Sequence, residues 1–135
     1  MSPNGFNYDV EVGKYAERHY IKTFEKKYKG AWTITFSAIF DLTKRIDALI
    51  AETDRADEII LFEEHALVKL DFAVAGTRMS PKASGDRVII YVNKDTRLCI
   101  ILLVYSKNEI GPPNETQKWQ AEIKSNYPDI WEIFK

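Results

Sequence analysis

Leu98–Tyr105 (LCIILLVY) is an unbroken apolar run with Arg97 before it and Ser106-Lys107 after it. At eight residues it is far shorter than the ~20 that a membrane-spanning helix needs. Both odd and even positions are apolar, which predicts a central strand with both faces covered. A chain carrying such a strand must supply neighbours in the sheet and layers above and below it. With 135 residues, one domain over 1–135 is expected, and its length suffices for a core without metal or disulfide staples. Hydrophobic residues make up 45% and charged residues 29%, which is the balance of a soluble globular chain.

The remaining elements follow from periodicity. Residues 6–12 (FNYDVEV) place Phe6, Tyr8, Val10 and Val12 on one side of a strand. From 14 to 29, Ala16, Tyr20, Phe24 and Tyr28 form one helical stripe, with Gly30 as its expected stop. Trp32, Phe36, Ile39, Thr43, Ile46 and Ile50 give a second helix over 32–50, so the two predict a helical hairpin joined at Gly30. Residues 59–63 suggest a short strand and Glu64-His65 a turn. Val68, Leu70, Phe72 and Val74 alternate with Lys69, Asp71 and Ala73 as a half-buried strand over 68–74. Residues 75–86 (AGTRMSPKASGD) read as a loop, 87–92 (RVIIYV) as a strand and 93–96 (NKDT) as a hairpin turn. Asn114 with Gln117 three residues later predicts a capping box. The helix it opens carries Trp119, Ile123 and Tyr127, with Pro128 as its end and an aromatic tail over 129–135 folded back on the body. The order predicts an α+β fold, a helical hairpin on an antiparallel meander.

Charge and chemistry narrow the function classes. The net charge is −1, but residues 66–111 hold seven basic and four acidic side chains between acidic flanks. Cys99 is alone, so no internal disulfide can form, and its apolar setting reads as a small inert hydrophobe. That fits a reducing cytoplasm, as does an N-terminus without a signal-peptide pattern. Two histidines and one cysteine at scattered positions give no zinc spacing. Ser80 and Ser84 lack triad partners and suit backbone bonds in turns. Gly76 and Gly85 are too isolated for a nucleotide-phosphate loop. No cofactor or metal is expected.

Residues 68–107 resemble the core of RelE/ParE-type toxins. Gly85-Asp86-Arg87-Val88 is similar to the family's "G-x-R" strand start, and Leu103-Val104-Tyr105-Ser106-Lys107 to its hydrophobic strand ending in a basic residue. One strand followed by two helices matches the family's element order, so the resemblance spans roughly residues 8–111 within a core of 6–111, leaving 112–135 as a C-terminal helix and tail. It implies a RelE-like fold and the toxin component of a type II toxin–antitoxin pair. For the RelE branch it further implies ribosome-dependent mRNA cleavage, in which a ribose 2′-hydroxyl attacks the adjacent phosphate. Such chemistry needs fixed cations where phosphorane charge develops and groups that move protons.

By position, Arg87, Lys107, Lys82 and Arg78 are the catalytic candidates, and Lys69, Arg78, Lys82 and Arg87 the RNA-binding ones. Arg87 reads equally well as a strand-edge arginine paired with an aspartate, and Lys82, Arg78 and Lys107 as solvated charges. The pattern breaks after Lys107: Asn108 stands where the RelE branch has an arginine, and no tyrosine follows, Asn114 occupying that region. Tyr105 and His65 are the available substitutes for the general acid. Implied partners are a cognate antitoxin, the ribosome and mRNA, with no membrane. A ParE-like topoisomerase inhibitor, or a non-catalytic interaction protein keeping the fold, would need no proton-transfer group.

Overall fold

A computed structural model describes residues 7–135. The expected first strand is β1 (Asp9–Val12), and Phe6, its expected first residue, lies outside the described residues. Helical backbone then runs from Lys14, passes through a π-helical segment at Ala16–Ile21 and continues as α1 (Lys22–Tyr28). The four-residue stripe survives: Ala16, Tyr20 and Phe24 are buried.

The break between the helices falls one residue before the expected stop. Lys29 takes φ 45, ψ −120, while Gly30 opens α2 (Gly30–Lys44). Lys29 thus makes the turn itself, and Gly30 meets no neighbour that would require a glycine. The expected second helix is itself divided at Arg45, giving α3 (Ile46–Glu52). β2 (Ala56–Phe62) begins three residues before the short strand expected over 59–63 and takes in Asp57 and Glu58. β3 (His65–Phe72), β4 (Asp86–Asn93) and β5 (Leu98–Tyr105) form the centre. The 75–86 loop contains a single helical turn, α4 (Pro81–Ser84). Its start is capped: the Ser80 hydroxyl accepts from Ala83 N, with Pro81 in the first turn.

The sheet has five strands in the order β1-β5-β4-β3-β2. The meander β2–β5 is antiparallel, as expected, but β1 joins β5 in parallel, so the sheet is mixed. β5 therefore lies inside the sheet, and five of its eight residues from Ile101 onward are wholly covered.

Alternation along β3 divides the two faces. Phe72, on the even side, packs against Phe24 and Trp32 of the helical pair, with centroids at 5.7 and 6.0 Å. His65, on the odd side, stacks on Tyr91, and Phe134 from the C-terminal tail meets both rings edge-on. The result is helix, sheet, helix, with apolar layers on both sides of β5.

The C-terminal layer corrects one expectation. Asn114 makes no side-chain cap and instead adopts φ 63, ψ 36, so no capping box forms at α5 (Glu115–Asn126). α5 does end before Pro128, as expected, with Tyr127 out of helical geometry. Pro128 then begins a further helix, α6 (Pro128–Ile133), at the place where a missing N–H costs nothing. Trp119 and Ile123 are fully buried. Tyr127 locks the end of α5: its hydroxyl accepts from Ala16 N and donates to Leu102 O, seated against Gly13 where a side chain would collide with the ring. The aromatic tail does pack back, with Trp131 and Phe134 half-buried. Among the described residues no helix is long and apolar enough to cross a membrane.

Candidate functional site

Register sets the site. Asp71 of β3 faces Arg87 of β4, and Arg87 faces Tyr105 of β5. All three belong to the odd side, which α5 and α6 cover. Arg87 Nε stands 2.9 Å from Asp71 Oδ1, and the two side chains are only 14% and 4% exposed. The Arg87 terminal nitrogens donate to Pro81 O (3.1 Å), Asp86 O (2.9 Å) and Lys82 O (3.0 Å). A guanidinium has four terminal N–H groups, so these bonds leave one uncommitted. Arg87 therefore knits α4 to the sheet as well as pairing with Asp71.

Lys82, from α4, reaches Asp71 Oδ2 at 3.5 Å with its side chain half exposed. Lys107 follows β5 and is exposed. Its stem lies on Gly85: a Cβ added there would meet Lys107 Cδ at 2.7 Å. Gly85 also has φ 76, the left-handed backbone that glycine accepts without strain. Ser84 fixes the same turn: its single hydroxyl proton lies between Phe72 O and Pro81 O, and its oxygen accepts from Asp86 N. The two loop serines thus serve the backbone, as their sequence setting indicated.

The corner therefore brings Lys82, Arg87 and Lys107 together. Lys69 lies two residues from Asp71 on the same face of β3, half-buried and opposite Asp57 and Ile89. Arg78 sits exposed in the loop before α4 and makes no ion pair among the described residues. Among the described residues no ion pair ties it to the corner.

The two substitute proton donors are far apart. His65 stands at the other end of β3, about 20 Å from Asp71 at the usual rise per residue. There its Nδ1 is 2.7 Å from the Tyr91 hydroxyl and its Nε2 is 3.1 Å from Glu64. Tyr105 is at the corner, but its hydroxyl donates to Glu115 Oε2 at 2.8 Å. Burial, then the bond to Glu115, push its pKa far above the ordinary phenol value, so it keeps its proton. Buried Cys99, likewise pushed up to about 12 by desolvation, stays an inert thiol.

Sequence reasoning missed the acids. Asp71 is the hub of the corner, and its only signal was its parity with Lys69 on an otherwise apolar strand. Asp86 is buried, and desolvation raises its pKa to about 6 against the opposing pull of Arg87, Lys27 and Lys107. Lys27, from α1, also lines a cleft of about 280 Å³ with Tyr28, Ser106, Asn108 and Glu109 beside this corner. Among the described residues no three His, Cys, Asp or Glu side chains cluster to hold a metal ion.

No protein-family model matches the sequence, and no curated protein matches it. A solved structure does: a chain of the crystal structure of the archaeal RelE–RelB complex from Pyrococcus horikoshii OT3, at TM-score 0.52 and 16% identity. The fold is that of RelE. The match covers 96% of that chain but 75% of this one, so a quarter of the present chain lies outside the match.

Proposed function

We propose that this chain is the toxin component of a type II toxin–antitoxin pair, acting in the cytoplasm as a ribosome-dependent mRNA endonuclease. The reading rests on the RelE-like fold together with the gathering of Lys82, Arg87 and Lys107 at one end of the sheet. In cleavage, Lys82 and Lys107 would meet phosphate oxygens from solvent, while Arg87 would stabilise the phosphorane from below. Lys69 and Arg78 would hold flanking phosphates. No cofactor is required for attack by a ribose hydroxyl. The similar archaeal chain comes from a complex with RelB. A cognate antitoxin is accordingly the proposed regulatory partner, with ribosome and mRNA as targets.

One observation favours a second reading. Arg87 is committed to Asp71 and three carbonyls, and Tyr105 is held by Glu115. A toxin that only binds its target, such as a ParE-like topoisomerase inhibitor or a non-catalytic interaction protein, needs neither group free.

Induced expression in a bacterial host tests the first reading. Growth arrest and cleavage of translated mRNA, mapped by primer extension, are expected. Lys82→Ala combined with Lys107→Ala should relieve both, since these exposed side chains can be removed without disturbing the core. Intact mRNA during arrest, with gyrase supercoiling inhibited, would transfer the assignment to the second reading. Unimpaired growth would end both.

A further inference from the structure

The most basic segment of the molecule is the first helix, away from the sheet corner. Residues 14–29 hold six Lys/Arg and two Glu, a net +4 in a chain of net −1. Lys14, Arg18, Lys22 and Lys26 recur every four residues, and all are exposed. The wider π-helical turn at Ala16–Ile21 helps a four-residue spacing stay on one face. None of the four makes an ion pair among the described residues. Their heads therefore form an uncompensated row along about 18 Å of helix. Lys14, Arg18 and Lys22 also border an open hollow of about 230 Å³, shared with Glu17.

We propose that this row docks the phosphate backbone of a structured RNA. A linear series of free cations matches a linear polyanion better than a single phosphate. The opposite side of the helix, Tyr20, Ile21 and Phe24, is buried in the core, so only the cationic side faces a ligand, and the deep, narrow major groove of duplex RNA leaves the backbone as what it meets. A protein partner would need an apolar anchor. The large exposed hydrophobics, Ile34, Leu61, Phe62 and Met79, all lie outside residues 14–29. The row also leads somewhere. At its end Lys27 shares a cleft with Ser106 and Asn108 and, with Lys107, acts on Asp86, so a strand following the helix arrives at the Lys107 corner. The choice of RNA over DNA rests on the function proposed above; the choice of a phosphate backbone does not.

The test is fluorescence anisotropy of the full chain with a two-turn RNA duplex across a KCl series. Arg18→Glu, Lys22→Glu and Lys26→Glu together should weaken binding tenfold or more. They should also flatten the dependence of log K on log salt by about three contacts. The substituted side chains are exposed, and an unchanged thermal melt would confirm that the fold is retained. Unchanged affinity and slope would overturn the proposal, as would full competition by a polyglutamate peptide. Equal affinity for duplex DNA would overturn the RNA assignment. Wild-type binding without growth arrest would sustain this inference while the toxin reading fails. Arrest that persists in the triple variant, with no duplex binding by either protein, would sink this inference alone.

Discussion

The two basic regions of this molecule use their charges in opposite ways. At the sheet corner, Arg87 and Lys82 converge on the buried Asp71 carboxylate, and Arg87 spends three further donors on carbonyls. Along the first helix, Lys14, Arg18, Lys22 and Lys26 stand in solvent without carboxylate partners among the described residues. A buried cation needs a partner because desolvation is severe, and the pair then becomes part of the architecture. An exposed cation contributes almost nothing to stability and remains available to a ligand. Position in the sequence distinguishes a helix surface from a strand start, but only burial tells a structural charge from a free one.

Arg87→Ala should therefore have the largest effect on folding. It leaves Asp71 buried with only the half-exposed Lys82 nearby, and it cuts α4 from the sheet. Loss of one partner of a buried pair costs about 3–5 kcal/mol. Urea denaturation should show that loss, and a change below about 1 kcal/mol would mean that the corner is solvated like the helix. The same expectation affects the functional tests. Lost toxicity in Arg87→Ala could come from unfolding alone, whereas Lys82→Ala and Lys107→Ala report on the site.

Gly85→Ala comes next. It forces a side chain into φ 76 and against the Lys107 stem. The left-handed backbone costs about 1–2 kcal/mol for a residue with a Cβ. The flexible lysine can move aside, so displacement of Lys107 should appear as lost activity beyond the modest fall in stability. Equal losses from Gly85→Ala in the wild type and in a Lys107→Ala background would show that the lysine is not seated by this glycine.

Asp86 offers a smaller, pH-dependent effect. Its pKa is raised from 3.8 to about 6 in the folded chain, chiefly by burial. Between those values the unfolded chain has released the proton while the folded chain still holds it, so stability falls as pH rises through this window. Asp86→Asn removes the term. It should match wild type near pH 3.5 and exceed it above pH 6 by about 1 kcal/mol, after discounting for partial solvent screening. Urea titrations of both proteins across this range would measure the gap. A gap of opposite sign would mean that the nearby Arg87, Lys27 and Lys107 outweigh desolvation.

The sheet was far more legible than the site. β5 was bounded to the residue because an apolar run flanked by charges has few alternatives. Strand β3 was recognisable from Val68, Leu70 and Phe72, although its true start at His65 was hidden by the Glu64-His65 pair that read as a turn. The break between α1 and α2 was visible to within one residue, from Gly30, whereas the break at Arg45 was not, since no glycine or proline marks it. At the corner, pattern singled out Lys82, Arg87 and Lys107, which the fold brings together, but not the acids beside them. Asp71 becomes a partner of Arg87 only through cross-strand register, which local periodicity does not encode. Asn114 had a sound local role as a cap that the C-terminal layer reassigned, whereas Pro128 ended α5 as expected and also opened α6.

The smallest effect expected is the most telling for the comparison. Lys22→Glu changes a side chain that is exposed, lacks an ion-pair partner among the described residues and sits on a helix whose other face holds it to the core. Surface substitutions of this kind shift stability by no more than about 0.5 kcal/mol. The new carboxylate would stand four residues from both Arg18 and Lys26, where opposite charges attract weakly on a helix. Reversal should therefore leave the melting temperature unchanged or slightly raised, while binding of RNA falls. At Arg87 the reverse holds, since removing that guanidinium damages the fold before it can inform on any ligand. If Lys22→Glu destabilised the chain as strongly as Arg87→Ala, the helix row would be structural too, and the molecule would hold no free basic surface there to offer a polyanion.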